Sequence, residues 1–303
     1  MQKRSKYLLA VCAGLAIVVA IFAFRNLAPL SNEIASVADS KSVAKASDAK
    51  TLSVAASKSE AYSRATNLDD YIRELSVSAP TPGEVEFAQV KVWDECGAMK
   101  ITPDIFEKQI AFTNSGAYAA IKGANYRKAS MERINSRCKA FAMTTKLTQT
   151  DVGNLLQKSA AAGNVEAMAR ALAMGINAMP PDQAKDAAVT AVSSGDPGAI
   201  YEMASSFGPN GPFAPTDGGE IGTIPSDIAW RLVACDRGMD CSSTSWLANA
   251  ACVNEGVCGP SDYRTNVQYS NFPPGTYQQA LQIEAQINAA ISDGTVQKFF
   301  IHK

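Results

Sequence analysis

Histidine is almost missing: the 303 residues hold one, His302, in the C-terminal tail. This excludes a histidine-ligated metal centre and a Ser-His-Asp triad, because both need imidazole at the reacting atoms. A Cys-x-x-Cys redox pair is also absent, which removes thioredoxin-type chemistry. No segment alternates apolar and polar residues between hairpin turns, so strands are not expected and the fold class is all-α. A basic excess is lacking too. The net charge is −1, and outside the cluster Lys3, Arg4, Lys6 and Arg25 the chain carries an acidic excess of about five. That balance argues against nucleic acid as a partner and against docking on anionic lipid.

One long apolar run is present. Tyr7 to Phe24 has no charge, and Lys3, Arg4 and Lys6 precede it. As a helix it spans roughly 27 Å, enough for a bilayer core. The basic flank places residues 1–6 in the cytoplasm by the positive-inside rule. The run is longer than the apolar region of a cleaved signal peptide, and Phe22-Ala23-Phe24-Arg25 is a poor cleavage site. The expectation is a signal anchor over 7–24, with cleavage and secretion as the alternative. Residues 25–79 are then a stalk or linker. Ser31 to Asn67 is rich in Ser, Ala and Lys and poor in large apolar residues, so it has little with which to bury a core. A short helix is expected over Leu68–Leu75, before Pro80 and Pro82.

The exported domain is expected over 80–303. Val85, Ala88, Val92 and Cys96 fall on one helical face, and Met131, Ile134, Cys138 and Phe141 on another. A phrase then recurs three times: an apolar residue, two residues, and a glycine, at Ala160–Gly163, Val192–Gly195 and Cys235–Gly238. Gly163 and Gly195 are 32 residues apart, the period of stacked helical hairpins. Asn164 and Asp196 follow these glycines as helix caps, and Ala167 and Ala199 follow at matching positions. Thr148 or Thr150 is expected to cap the first helix, Pro181 to open a later one, and Ser226 to cap the third unit. A Pro/Gly-rich insertion, Pro209 to Pro225, separates the second and third units. It carries no Gly-Lys-Ser cradle, and Asp217 and Glu220 lack calcium-loop spacing. A last helix is expected over Thr276–Ser292, with the tail Val296–Ile301 packing back on the array.

Six cysteines follow the apolar run: Cys96, Cys138, Cys235, Cys241, Cys252 and Cys258. An even number outside the cytoplasm favours disulfides. Cys96 and Cys138 lie on the apolar faces of consecutive helical regions and are paired. Cys235 and Cys241 flank Gly238 symmetrically, and Cys252 and Cys258 flank Gly256, which favours two local bridges. The crossed pairing Cys235–Cys252 with Cys241–Cys258 stays open at this point. Zinc is disfavoured, because structural sites use tighter spacings.

Carboxylates are the remaining chemical groups. Asp69 and Asp70 adjoin at a helix start, and Asp94 and Glu95 are neighbours that point to different helix sides. Glycosidases need two such groups across a cleft, so an envelope hydrolase is the alternative function. Arg170, Tyr201, Trp230, Arg231 and Trp246 are candidate partner-binding residues in a groove, with core packing or a solvated face as the competing assignment.

Ala161-Ala162-Gly163-Asn164-Val165-Glu166-Ala167-Met168 and Ser194-Gly195-Asp196-Pro197-Gly198-Ala199 resemble the Sel-one-like branch of the tetratricopeptide-type repeats. The corner Ala234-Cys235-Asp236-Arg237-Gly238-Met239-Asp240-Cys241 resembles secreted cysteine-rich members, in which a disulfide joins paired helices. Trp230 to Gly259 is similar to exported proteins of proteobacteria. The resemblance covers about Gln149 to Cys258. Typical large residues of the second helix are replaced by Ala and Met, so it implies a short, irregular α-solenoid of antiparallel hairpins over 149–258. It further implies binding of a protein or peptide in the cell envelope, as scaffold or adaptor, with no cofactor and no catalytic residues. The expected location is a bacterial inner membrane, single-pass, with the main domain periplasmic.

Overall fold

Helices account for every regular element among the described residues, with no strand. The computed structural model describes residues 60–113, 115, 123–175, 180–207, 212–213 and 223–301, all within the unit Ala44–Lys303. The expected membrane segment 7–24, the linker up to 59, most of the insertion and His302 lie outside the described residues. Among those described, no helix is long and apolar enough to cross a membrane.

A short helical stretch, 60–64, leads to α1 (Leu68–Val77), α2 (Glu84–Ile101), α3 (Pro103–Thr113) and α4 (Ala124–Thr144). Asn67 starts α1, its Oδ1 accepting from Asp69 N at 3.0 Å. This satisfies a donor that the first turn leaves free. Helix α2 packs on α4, and α1 lies against both. The segment expected as linker therefore contributes to the core: Tyr62 and Leu68 are buried. Tyr62 and Leu68 join the apolar cluster of Phe87, Trp93 and Phe141, and burying their surface there helps hold the segment.

The next elements are α5 (Gln149–Ala161), α6 (Val165–Ala173), α7 (Pro181–Ser193) and α8 (Pro197–Met203), extended by a 3-10 turn, Ala204–Phe207. Thr148 and Asp151 form a reciprocal capping box on α5. Asn164 caps α6 and Asp196 caps α8, each accepting from the backbone N–H three residues on at 2.9 Å. The three recurring glycines share one geometry. Gly163, Gly195 and Gly238 have φ of 89°, 72° and 102°, a left-handed turn that residues with a Cβ resist. At Gly163 and Gly195 the phrase is thus a helix stop followed directly by a helix start, whereas after Gly238 the next helix begins only at Trp246.

Last come α9 (Ile224–Asp236), α10 (Trp246–Glu255), α11 (Tyr263–Gln268), α12 (Thr276–Ser292) and a 3-10 turn, Val296–Phe299. Helix α9 starts earlier than expected: Thr223 is the cap, and Ser226 is buried within the first turn. Pro225 allows this, since a proline in the first turn gives up no intrahelical hydrogen bond. Helices α3 and α11 have no counterpart in the sequence expectations. The tail packs back, with Val296, Phe299 and Phe300 buried.

The three disulfides are Cys96–Cys138, Cys235–Cys241 and Cys252–Cys258. The first joins α2 to α4; the other two close the ends of α9 and α10. The crossed pairing does not occur.

Candidate binding cleft

A cleft of about 260 Å³ opens between the first helices and the hairpin corners. Tyr71 and Leu75 of α1 form one wall, and Glu84, Phe87 and Lys91 of α2 the floor. The opposite wall is the repeated phrase itself: Gly163, Asn164 and Glu166 from one corner, Asp196 and Pro197 from the next. Capping explains this placement. Residues that stop one helix and start another sit at an end of the hairpin, where backbone and polar side chains face outward.

Lys91 Nζ lies 3.5 Å from Glu166 Oε1, and the two side chains are 21% and 23% exposed. The ammonium also faces aromatic rings, 4.9 Å from the Tyr62 centroid and 5.8 Å from that of Phe87. The Glu166 carboxylate rests against the Gly198 backbone, where a Cβ would overlap it. Partial burial pushes the Glu166 carboxyl up to about 7; Lys91 opposes this, and the charges of Asp196 and Glu202 reinforce it. For Lys91, burial alone would lower the pKa, but Glu166, Tyr71, Glu202 and Asp196 together raise it.

Below the cleft, Arg170 donates to Asp94 Oδ2 at 2.6 Å and to Glu202 Oε2 at 3.1 Å. A second buried arginine, Arg137, holds Glu95 Oε1 at 2.9 Å and Oε2 at 3.3 Å. It also donates to the carbonyls of Tyr62, Ser63 and Ala65 at 3.1, 2.6 and 2.8 Å. Tyr62 Oη donates to the same Glu95 at 2.8 Å. Glu95 and Arg137 directly precede the bonded Cys96 and Cys138, so the disulfide sets the register in which this ion pair meets.

These contacts account for the carboxylates singled out for hydrolysis. Asp94 and Glu95 are each held by an arginine. Asp69 accepts from Thr144 Oγ1 at 3.1 Å, and Asp70 pairs with Arg73 at 2.6 Å. Neither pair faces a shared cleft.

Of the five partner-binding candidates, three come together. Tyr201 and Trp246 meet edge to face at 5.2 Å, and the Arg231 guanidinium lies 6.0 Å over the Tyr201 ring. Arg231 in turn pairs with Asp227 and Glu255, each at 2.6 Å. Arg170 is buried in its ion triad. Trp230 has no accessible surface and stacks on Phe207 at 5.8 Å, so it belongs to the core and leaves the set of partner-facing residues. An amphipathic pattern does not separate these cases, because a tryptophan serves a groove or a helix interface equally well.

The cleft residues Lys91, Tyr71 and Phe87 carried no sequence signal, since they are distant from the repeats. Glu166 and Asp196 do lie inside the repeated phrase, where Asp196 reads as a cap alone. No family model, no curated protein and no solved structure matches this chain.

Proposed function

We propose that this chain is a membrane-anchored periplasmic binding protein. Its Sel-one-like hairpins, arranged as a short irregular solenoid, take a protein or peptide partner in the cell envelope. One observation carries the reading: the corners of two successive hairpins, with α1 and α2, enclose a cleft that presents apolar walls beside charged groups. Such a mixture suits a peptide, which offers both kinds of surface. The three disulfides support an oxidising compartment. The uncharged run 7–24 supports the anchor.

A second reading, a carboxylate hydrolase of the envelope, draws on Glu166 alone. A carboxyl titrating near 7 has the property of a general acid, and Asp196 is the neighbouring carboxylate.

The test is affinity capture with the full chain in its membrane, set beside a cell-wall digestion assay. Stoichiometric capture of an envelope protein or peptide, reduced by Glu166→Gln, supports binding. Turnover of cell-wall polymer without a retained partner replaces that reading with the hydrolase.

A further inference from the structure

We propose that the cleft seats a protonated primary amine of its ligand, a peptide amino terminus or a lysine side chain, between Glu166 and Asp196. This rests on the peptide-binding reading above and specifies the chemistry of that site.

Four ionisable groups other than tyrosine line the cleft: Glu84, Lys91, Glu166 and Asp196. Glu84 Oε2 is already used, accepting from Thr81 N at 2.8 Å and Thr81 Oγ1 at 2.6 Å. Lys91 is held on one side, against Glu166 and over two aromatic rings. Asp196 Oδ1 accepts the capping bond from Ala199 N, and among the described residues no cation lies within ion-pair distance of this carboxylate. The cleft is therefore lined by three carboxylates and one cation, and that cation is engaged. Glu202 and Asp94 add no free acid, because Arg170 lies between them.

Cavity shape and charge agree on the missing group. An anion entering here would meet three carboxylates set against the single ammonium of Lys91, whereas a second ammonium would offset the acidic excess. Tyr71 beside the opening adds an aromatic ring, a surface that accepts ammonium groups. The seat is also constrained. Glu166 cannot swing toward α8, because its carboxylate already touches the Gly198 backbone, so its charge stays aimed along the wall.

The test uses the full chain in detergent micelles, immobilised and exposed to four pools of random heptapeptides with amidated C-termini. The pools carry a free amino terminus without lysine, an acetylated terminus with one lysine, both amines, or neither. Retained peptides are counted by mass spectrometry. The expected result is at least tenfold enrichment of one amine-bearing pool over the pool with neither, and the first two pools tell terminus from side chain. The enrichment is expected to fall to the level of the amine-free pool in Glu166→Gln and in Asp196→Asn. The second variant keeps a capping oxygen while losing the charge, and thermal melting checks that both remain folded. Equal retention of all four pools, or enrichment unaffected by both folded variants, overturns the amine seat while leaving peptide binding intact. Retention of none overturns both.

Discussion

Arg170 and Glu202 are joined by a buried ion pair at 3.1 Å, 32 residues apart along the chain. They occupy the same position of two successive hairpins, each six residues past a capping residue, Asn164 or Asp196. One helical hairpin is thus joined to the next through side chains of opposite charge. Arg170 also binds Asp94 of α2, so a single side chain links three helices.

Removing Arg170 should cost more than removing either of its partners. Arg170→Ala leaves two acids facing each other without a cation, and a loss of about 3–5 kcal/mol is expected. Glu202→Gln keeps the Arg170–Asp94 pair and should cost about 1 kcal/mol. Urea denaturation of the two variants checks the order; equal losses would mean that the triad does not act as a unit.

Arg137 should prove still more sensitive to its context. Arg137→Ala strands the buried Glu95 and frees three carbonyls of residues 62–65. The expected loss is about 3–5 kcal/mol, with residues 60–66 gaining hydrogen exchange before the rest of the domain. Adding Glu95→Ala should recover part of the loss, because no charge is then left unpaired. A double variant no more stable than Arg137→Ala would contradict this.

The disulfides should differ in weight. Cys96–Cys138 spans 42 residues and each local bridge spans 6. In the chain-entropy account, losing the first costs about 4 kcal/mol and losing a local one about 2 kcal/mol. Paired Cys→Ala variants measured by guanidinium denaturation test the ratio. The long-range variant should also weaken the Glu95–Arg137 register and expose residues 60–66 to exchange.

Glu166 should make stability fall as pH rises. Its folded carboxyl titrates near 7 against an ordinary value of 4.5, so between these values the folded chain holds a proton that the unfolded chain has released. Stability from this group is highest below about pH 4.5 and declines through pH 7. Lys91, Tyr71, Asp196 and Glu202 face it and are common to both proteins compared. Glu166→Gln should remove this slope. Relative to wild type, the variant should gain roughly 2 kcal/mol between pH 5 and pH 8, discounting for its partial exposure. Parallel pH profiles for the two proteins would show that the carboxyl is not held protonated.

Local elements were legible in the chain where one residue type has one structural use. Asn164 and Asp196 cap, Gly163, Gly195 and Gly238 turn left-handed, and Cys235 and Cys241 face each other across a turn; each follows from a few neighbouring residues. Ser226 misled, because Pro225 and Thr223 together open a helix one turn earlier. Trp230 and Trp246 carry similar signals but differ in burial, since α9 faces α12 and the tail along one side. The linker assignment included Tyr62 and the expected helix from Leu68, whose sparse apolar signal gains value only from the cluster they join.

The amino-acid order determined by itself that the described residues are helical and where the glycine corners lie, because caps and glycine turns are local interactions; which cysteines bond was decided by the fold. Tertiary structure alone decided that Lys91 meets Glu166, that Arg137 clasps residues 62–65, and that Asp94 and Glu95 serve ion pairs. Those meetings join residues separated by 42 to 76 positions. They depend on how whole helices pack, and packing is set by the summed shape of the core.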